Sequence, residues 1–185
     1  MEWKLHAIGR EGGREGEAAL AIVVMGVSGT GKTTLATALA RALACPMLEG
    51  DTYHSAANVA KMRDGHPLSD EDRWPWLDRL GGALGDAARE RGRAVAACSA
   101  LRRAYRERLG AASGLRPAFV LLALDHDTIA RRMATRSGHY MPVALLDSQL
   151  ATLEPPTADE RALTLDSTRP PDELVAAVRA WLELG

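Results

Sequence analysis

The 185-residue chain has a formal net charge of −1, with 46% hydrophobic and 25% charged residues, which is one globular domain's worth of ordinary composition. Such balance disfavours nucleic acid, whose binders carry a basic surplus, and the longest apolar run (Ala18 to Val27, about ten residues) falls well short of a bilayer span, so no nucleic-acid or membrane partner is expected. Cys45 and Cys98 show neither disulfide-framework nor metal-ligand spacing, which fits a reducing, cytoplasmic setting.

Residues 1–17, rich in Gly, Glu and Arg and without a sustained period, read as a flexible tail; their acidic, glycine-rich character is unlike the basic start of a signal peptide. From 18 to 185 strand-like and helix-like segments alternate as a single domain. Strands are predicted at Ala19–Met25, Pro46–Glu49, Ala94–Cys98, Ala118–Leu124 and Ala162–Leu165. Helices are predicted at Thr33–Ala44, Ala56–Arg63, Trp76–Arg91, Arg102–Leu109, Asp127–Thr135, Leu145–Leu153 and Asp172–Leu184, with Gly81-Gly82 weakening the third. Five strands separated by helices imply an α/β fold with a parallel sheet covered on both faces.

Between the first strand and the first helix lies Gly26-Val27-Ser28-Gly29-Thr30-Gly31-Lys32-Thr33-Thr34, which fits the phosphate-binding pattern G-x-x-x-x-G-K-[ST] in its required context. Gly26, Gly29 and Gly31 allow backbone N–H groups to approach phosphate oxygens, and the helix N-terminus adds its positive dipole end. Lys32 is suited to the β and γ phosphates and Thr33 to Mg²⁺. ATP and Mg²⁺ are therefore the expected cofactors.

The second strand ends in Glu49-Gly50-Asp51-Thr52-Tyr53-His54, at the sheet edge where ligands bind in open parallel folds. Phosphoryl transfer to an alcohol needs a carboxylate beside the attacking hydroxyl, a role open to Asp51, and acidic support for the metal, a role open to Glu49. Asp51 has a second use as a cap for the helix near Ser55. His54 stands beside it as either a ligand or a structural group. Asp70 to Pro75 has the form of a helix entry, and Trp74 and Trp76 read as packing groups. Asp125 ends an apolar run in the hhhhD manner of a metal-holding strand, but on a helix-opening turn it has the simpler use of a cap.

Cations cluster after these strand ends. Arg102 and Arg106 share one helix face, and Lys61, Arg63 and Arg73 lie on the neighbouring segment; each is a substrate cation or a solvated surface charge. Arg132 and Arg136, also one helical turn apart, precede Gly138-His139-Tyr140-Met141-Pro142, which suits a lid around 136–147 that carries positive charge to a migrating phosphoryl group.

Gly50-Asp51-Thr52-Tyr53-His54-Ser55-Ala56-Ala57-Asn58-Val59-Ala60-Lys61-Met62 resembles the G-D-x-x-H-x-x-x-N-x-x-K-M stretch of gluconokinases, small P-loop carbohydrate kinases. Gly65 to Leu77 is similar to that family's G-x-P-L-x-D-x-D-R-x-P-W-L, Cys98 to Arg106 to C-S-A-L-K-x-x-Y-R, Arg136 to Tyr140 to R-x-G-H-F, and Gln149 to Pro155 to Q-x-x-x-L-E-x-P. The departures are Arg102 for Lys, Tyr140 for Phe, Ser55 for a common Pro, and the extra tail. The resemblance implies a fold like that of nucleoside monophosphate and shikimate kinases, and ATP-dependent phosphorylation of D-gluconate at its terminal hydroxyl. It implies catalytic roles for Lys32, Asp51, Arg132 and Arg136, acceptor contacts from Asp51, His54, Lys61, Arg63, Arg73, Arg102, Arg106 and His139, and a homodimer. A kinase for another small polar acceptor is the nearest rival. A nucleotide switch would need a base-selecting stretch such as N-K-x-D, which the sequence lacks.

Overall fold

A computed structural model describes residues 19–134 and 144–184. Its five strands are β1 (Leu20–Met25), β2 (Met47–Glu49), β3 (Arg93–Ala97), β4 (Ala118–Ala123) and β5 (Ala162–Asp166), all parallel, in the order β2-β3-β1-β4-β5. Seven helices connect or flank them: α1 (Lys32–Ala42), α2 (Ala56–Arg63), α3 (Asp70–Arg91), α4 (Arg103–Ser113), α5 (His126–Ala134), α6 (Ala144–Thr152) and α7 (Pro171–Leu184). The tail and the middle of the expected lid lie outside the described residues.

Strand alternation divides the core. Ala21, Val23 and Met25 of β1 pack with Trp76, Leu77, Leu80 and Leu84 of α3 and with Tyr105 and Leu109 of α4. Ile22 and Val24 point to the other face, against Leu35 and Leu39 of α1 and Leu174 and Val178 of α7. β1 is therefore buried on both sides, as a central parallel strand requires. A third cluster, Val27, Leu101, Ile129 and Leu146, sits over the C-terminal edge and ties α5 and α6 to the loops there. No helix among the described residues is long and apolar enough to cross a membrane.

The third helix starts at Asp70, six residues before the predicted Trp76, so the helix entry read at Asp70 to Pro75 belongs to the helix itself. Ser69 and Asp72 form a reciprocal capping box: Asp72 N–H donates to Ser69 Oγ (3.3 Å) and Ser69 N–H to Asp72 Oδ2 (2.8 Å). Pro75 lies close enough to this entry that it removes little of the helical hydrogen-bond ladder. Gly81 does not break the helix because its missing side chain is needed for packing. A Cβ there would lie 2.7 Å from Ala112 Cβ and 3.0 Å from Leu109 O, so the glycine lets α3 and α4 approach closely.

Candidate active site

All five strands end on one edge, and the loops leaving it build two depressions separated by the phosphate loop. At Gly26 φ is +139° and a Cβ would lie 2.9 Å from Leu122 O, so both the backbone conformation and the close approach of β4 demand glycine. Gly31, at φ +92°, precedes α1, and its Cβ would meet nothing within 4 Å; here the left-handed conformation alone makes the demand. The loop is braced from within and behind. Thr30 Oγ1 donates to Val27 O (3.0 Å), Ser167 Oγ to Thr30 O (2.7 Å) and Gly26 N–H to Ser99 O (3.2 Å). Lys32 Nζ donates to Val27 O (3.0 Å), folding back over its own loop.

One depression is lined by Ser28, Lys32, Asp51, His54, Arg73, Trp76 and Gln149, among others. Asp51 is exposed on a 3₁₀ turn, Gly50–Tyr53, that leaves β2 directly. The capping use is taken by Ser55 instead, whose Oγ accepts from Asn58 N–H (3.1 Å) at the start of α2. Glu49 Oε2 accepts from Thr33 Oγ1 at 2.7 Å, bringing the two expected metal-side oxygens together. They are hard ligands of the kind Mg²⁺ prefers.

His54 stacks on Trp76 with ring centroids 4.0 Å apart, and Trp76 is itself anchored by its Nε1–H donating to Gly50 O (2.7 Å). Burial pushes the His54 pKa down to about 4; Asp51 opposes that shift, and Arg73 and Arg79 reinforce it. The imidazole is consequently neutral at neutral pH, and its Nδ1 is buried without a hydrogen-bond partner.

The structure divides the expected substrate cations. Arg73 lines the cleft. Lys61 pairs with Asp72 (2.6 Å) beside the capping box, Arg102 pairs with Asp70 (2.9 Å), and Arg63 is exposed at the end of α2. Arg106 corrects the sequence reading most clearly. It is 2% exposed, with Nε and Nη2 donating to Glu160 (2.5 and 2.8 Å) and Nη1 to Glu154 O (3.0 Å). It sits one turn from Arg102, but its guanidinium is enclosed by the 154–160 segment, so it serves as an internal clamp. Glu154 completes this joint by accepting from Arg103 N–H (2.8 Å) at the start of α4, whose own cap residue supplies no side-chain bond.

Arg132 falls on α5, while Arg136 and His139 lie outside the described residues. Asp125 accepts from Thr128 N–H (2.9 Å) and caps α5.

Two features escaped the residue-by-residue reading. Gln149 Oε1 accepts from Ser28 N–H at 2.7 Å, linking α6 to the phosphate loop across more than a hundred residues; its only sequence signal was its place in the Q-x-x-x-L-E-x-P stretch. The second depression, beyond the loop, is lined by Thr30, Gly31, Thr34, Ser167, Arg169 and Pro170, with further neighbours. The Ser167 to Pro171 turn after β5, polar and proline-rich at the ligand edge, was the available signal.

A family model described as an AAA domain matches residues 22–156. The chain is 47% identical over 151 residues to a gluconokinase of Gluconobacter oxydans, covering 82% of this chain and 84% of the relative. It is 45% identical over 139 residues to the thermosensitive gluconokinase of Escherichia coli K12, covering 75% and 74%. Among solved structures, a gluconokinase from Sinorhizobium meliloti superposes with a TM-score of 0.78 at 43% identity, covering 89% of this chain and 92% of that one. A shikimate kinase from Aquifex aeolicus, 13% identical, shares the fold alone with a TM-score of 0.58 over 88% and 95% of the two chains.

Proposed function

The chain belongs to the gluconokinase family of P-loop kinases, and from that premise we propose that it transfers the γ-phosphoryl group of ATP to the terminal hydroxyl of D-gluconate, giving 6-phospho-D-gluconate and ADP. The observation that carries this reading is the shared wall of the first depression, where Ser28 and Lys32 of the phosphate loop face the same space as Asp51 and Arg73. Donor and acceptor halves thus meet where a phosphoryl group would cross.

In this reading the nucleoside occupies the depression beside Ser167 and Pro170, and its phosphates extend along residues 26–34 toward the cleft. Lys32 leaves the Val27 carbonyl for the β and γ phosphates. Asp51 accepts a hydrogen bond from the acceptor hydroxyl, orients its oxygen in line with the γ phosphorus and takes its proton as the bond to the ADP oxygen breaks. Thr33 and Glu49 would hold Mg²⁺, which neutralises phosphate charge when bound. His54, neutral and wedged on Trp76, presents a hydrogen-bonding ring to the polyol chain. Arg132, Arg136 and His139 belong to the closing lid, which excludes water as a competing acceptor. Lys61, Arg63 and Arg102 supply the positive surroundings of an anionic substrate, and Arg73 contacts its carboxylate. The same reading makes the enzyme a cytoplasmic homodimer, which light scattering of the purified protein tests.

The deciding experiment follows ADP release with a panel of sugar acids and shikimate as acceptors. Saturable turnover with gluconate, and phosphate found on its terminal carbon, is the expected result. Turnover of another acid without gluconate activity would overturn the reading.

A further inference from the structure

The Arg73 guanidinium is held by groups that belong to neither the phosphate loop nor the turn bearing Asp51. Its Nη1 donates to Leu68 O (2.5 Å) and to Tyr105 Oη (3.2 Å). The Tyr105 hydroxyl also bonds Asp70 Oδ1, and Asp70 Oδ2 accepts from Arg102 Nη1 at 2.9 Å. Chemistry fixes the direction of this chain. An ionised carboxylate only accepts and a guanidinium only donates, so the phenol must give its proton to Asp70 and offer a lone pair to Arg73. Tyr105 is 2% exposed and stands edge-on to Trp74, with ring centroids 5.6 Å apart, so the hydroxyl has little freedom to turn elsewhere.

Both hydrogen bonds that Arg73 makes to described residues leave from Nη1. Its Nε–Nη2 edge, the one with which a guanidinium grips a carboxylate through two parallel bonds, is not used in them. Asp70 Oδ1 forms an ion pair with Arg73 Nη1 at 3.7 Å, beyond hydrogen-bond distance. The hydrogen bonds to its two oxygens come from Tyr105 and Arg102. Two guanidinium groups against one carboxylate leave the cluster with one net positive charge beside the cleft.

We propose that Tyr105, braced on Asp70, is a positioning residue that aims Arg73 at the carboxylate of the acceptor and so sets selection for an acidic substrate. This rests on the gluconate reading above. Arg102 then acts through Asp70, without touching the acceptor.

The test is a double-mutant cycle on the full chain. Y105F removes the hydroxyl and both of its hydrogen bonds, to Asp70 and from Arg73, and should raise the KM for gluconate about tenfold, leaving kcat and the KM for ATP within about twofold. R73M should raise the gluconate KM by about a hundredfold or more. The double variant should match R73M alone, because Tyr105 has nothing left to aim. A gluconate KM for Y105F within twofold of wild type, or losses that multiply in the double variant, would overturn the inference. Should Y105F fail to fold, D70N in the same cycle breaks the brace from its other end and is held to the same outcomes. A wild-type enzyme that ignores gluconate would instead sink the functional reading itself, so the two failures are distinguishable.

Discussion

The two depressions flanking the phosphate loop are built on different principles. On the side read as the donor's, the phosphate-facing wall is one continuous stretch, Gly26 to Thr34, shaped by its backbone through the dihedral angles of Gly26 and Gly31 and the first turn of α1, and the Ser167 to Pro171 turn lines the depression beyond it. On the acceptor side the wall is assembled from β2's exit, α3, the Ser99 turn and α6, and side chains do the work. A backbone site tolerates variation in whatever surrounds it. A side-chain site depends on each brace behind each group.

The sharpest way to break this comparison is at Lys32, a donor-side group whose proposed role lies in its side chain. K32A should lower kcat/KM by about 10³-fold or more, with circular dichroism and thermal midpoint near wild type, since the Nζ bond to Val27 O lies within its own loop. Near-wild-type turnover would mean that the loop is not catalytic. Next in size is Asp51, the acceptor-side counterpart. D51N should reduce kcat by about 10²- to 10³-fold while the dissociation constant of an ATP analogue barely moves. If analogue affinity collapsed and turnover at saturation survived, Asp51 would belong with Thr33 and Glu49 on the metal.

The same contrast explains what was legible in the sequence. The phosphate loop and all five strands could be read because their signals are local: a fixed spacing, an apolar run, a glycine after a helix. Ends were misplaced where a non-local partner decided them. The helix entry legible at Asp70 to Pro75 forms the first turns of α3 itself, where the Ser69–Asp72 box, tied to Asn58 and Lys61 of α2, sets the start at Asp70. Gly81-Gly82 suggested a weak helix because the close approach of Leu109 and Ala112 could not be seen. Among the cations, spacing placed Arg102 and Arg106 on one helix and stopped there. Which of them is enclosed and which stays half-exposed depends on Glu160 and Asp70, residues 54 and 32 positions away.

Arg106 sharpens the distinction between a cation that binds and one that builds. R106M should leave the half-buried Glu160 without its partner and cost about 3 kcal/mol of stability, or roughly 10 °C in thermal midpoint. At low temperature the KM for gluconate should stay near wild type. A KM that rose with no loss of stability would return Arg106 to the substrate. The pair also predicts acid sensitivity: Arg106 holds the Glu160 carboxyl below its usual range, so the stability it contributes is complete above that range and is lost as pH falls through the lowered value.

The smallest expected effect concerns His54, where acceptor-side chemistry should register as a pH dependence of stability. Its folded pKa of about 4 lies below the usual 6.5, so between these values the unfolded chain binds a proton that the folded one refuses. Stability from this group is therefore complete above about pH 6.5 and declines as pH falls toward 4. Because the ring is partly exposed, the decline between pH 7 and pH 5 should be discounted to about 1 kcal/mol. Urea midpoints of wild type and H54F at those two pH values isolate it, since the carboxylates common to both cancel in the difference. Equal declines in the two proteins would mean that the imidazole is solvated in the free enzyme, and Trp76 would then hold a ring open to protonation.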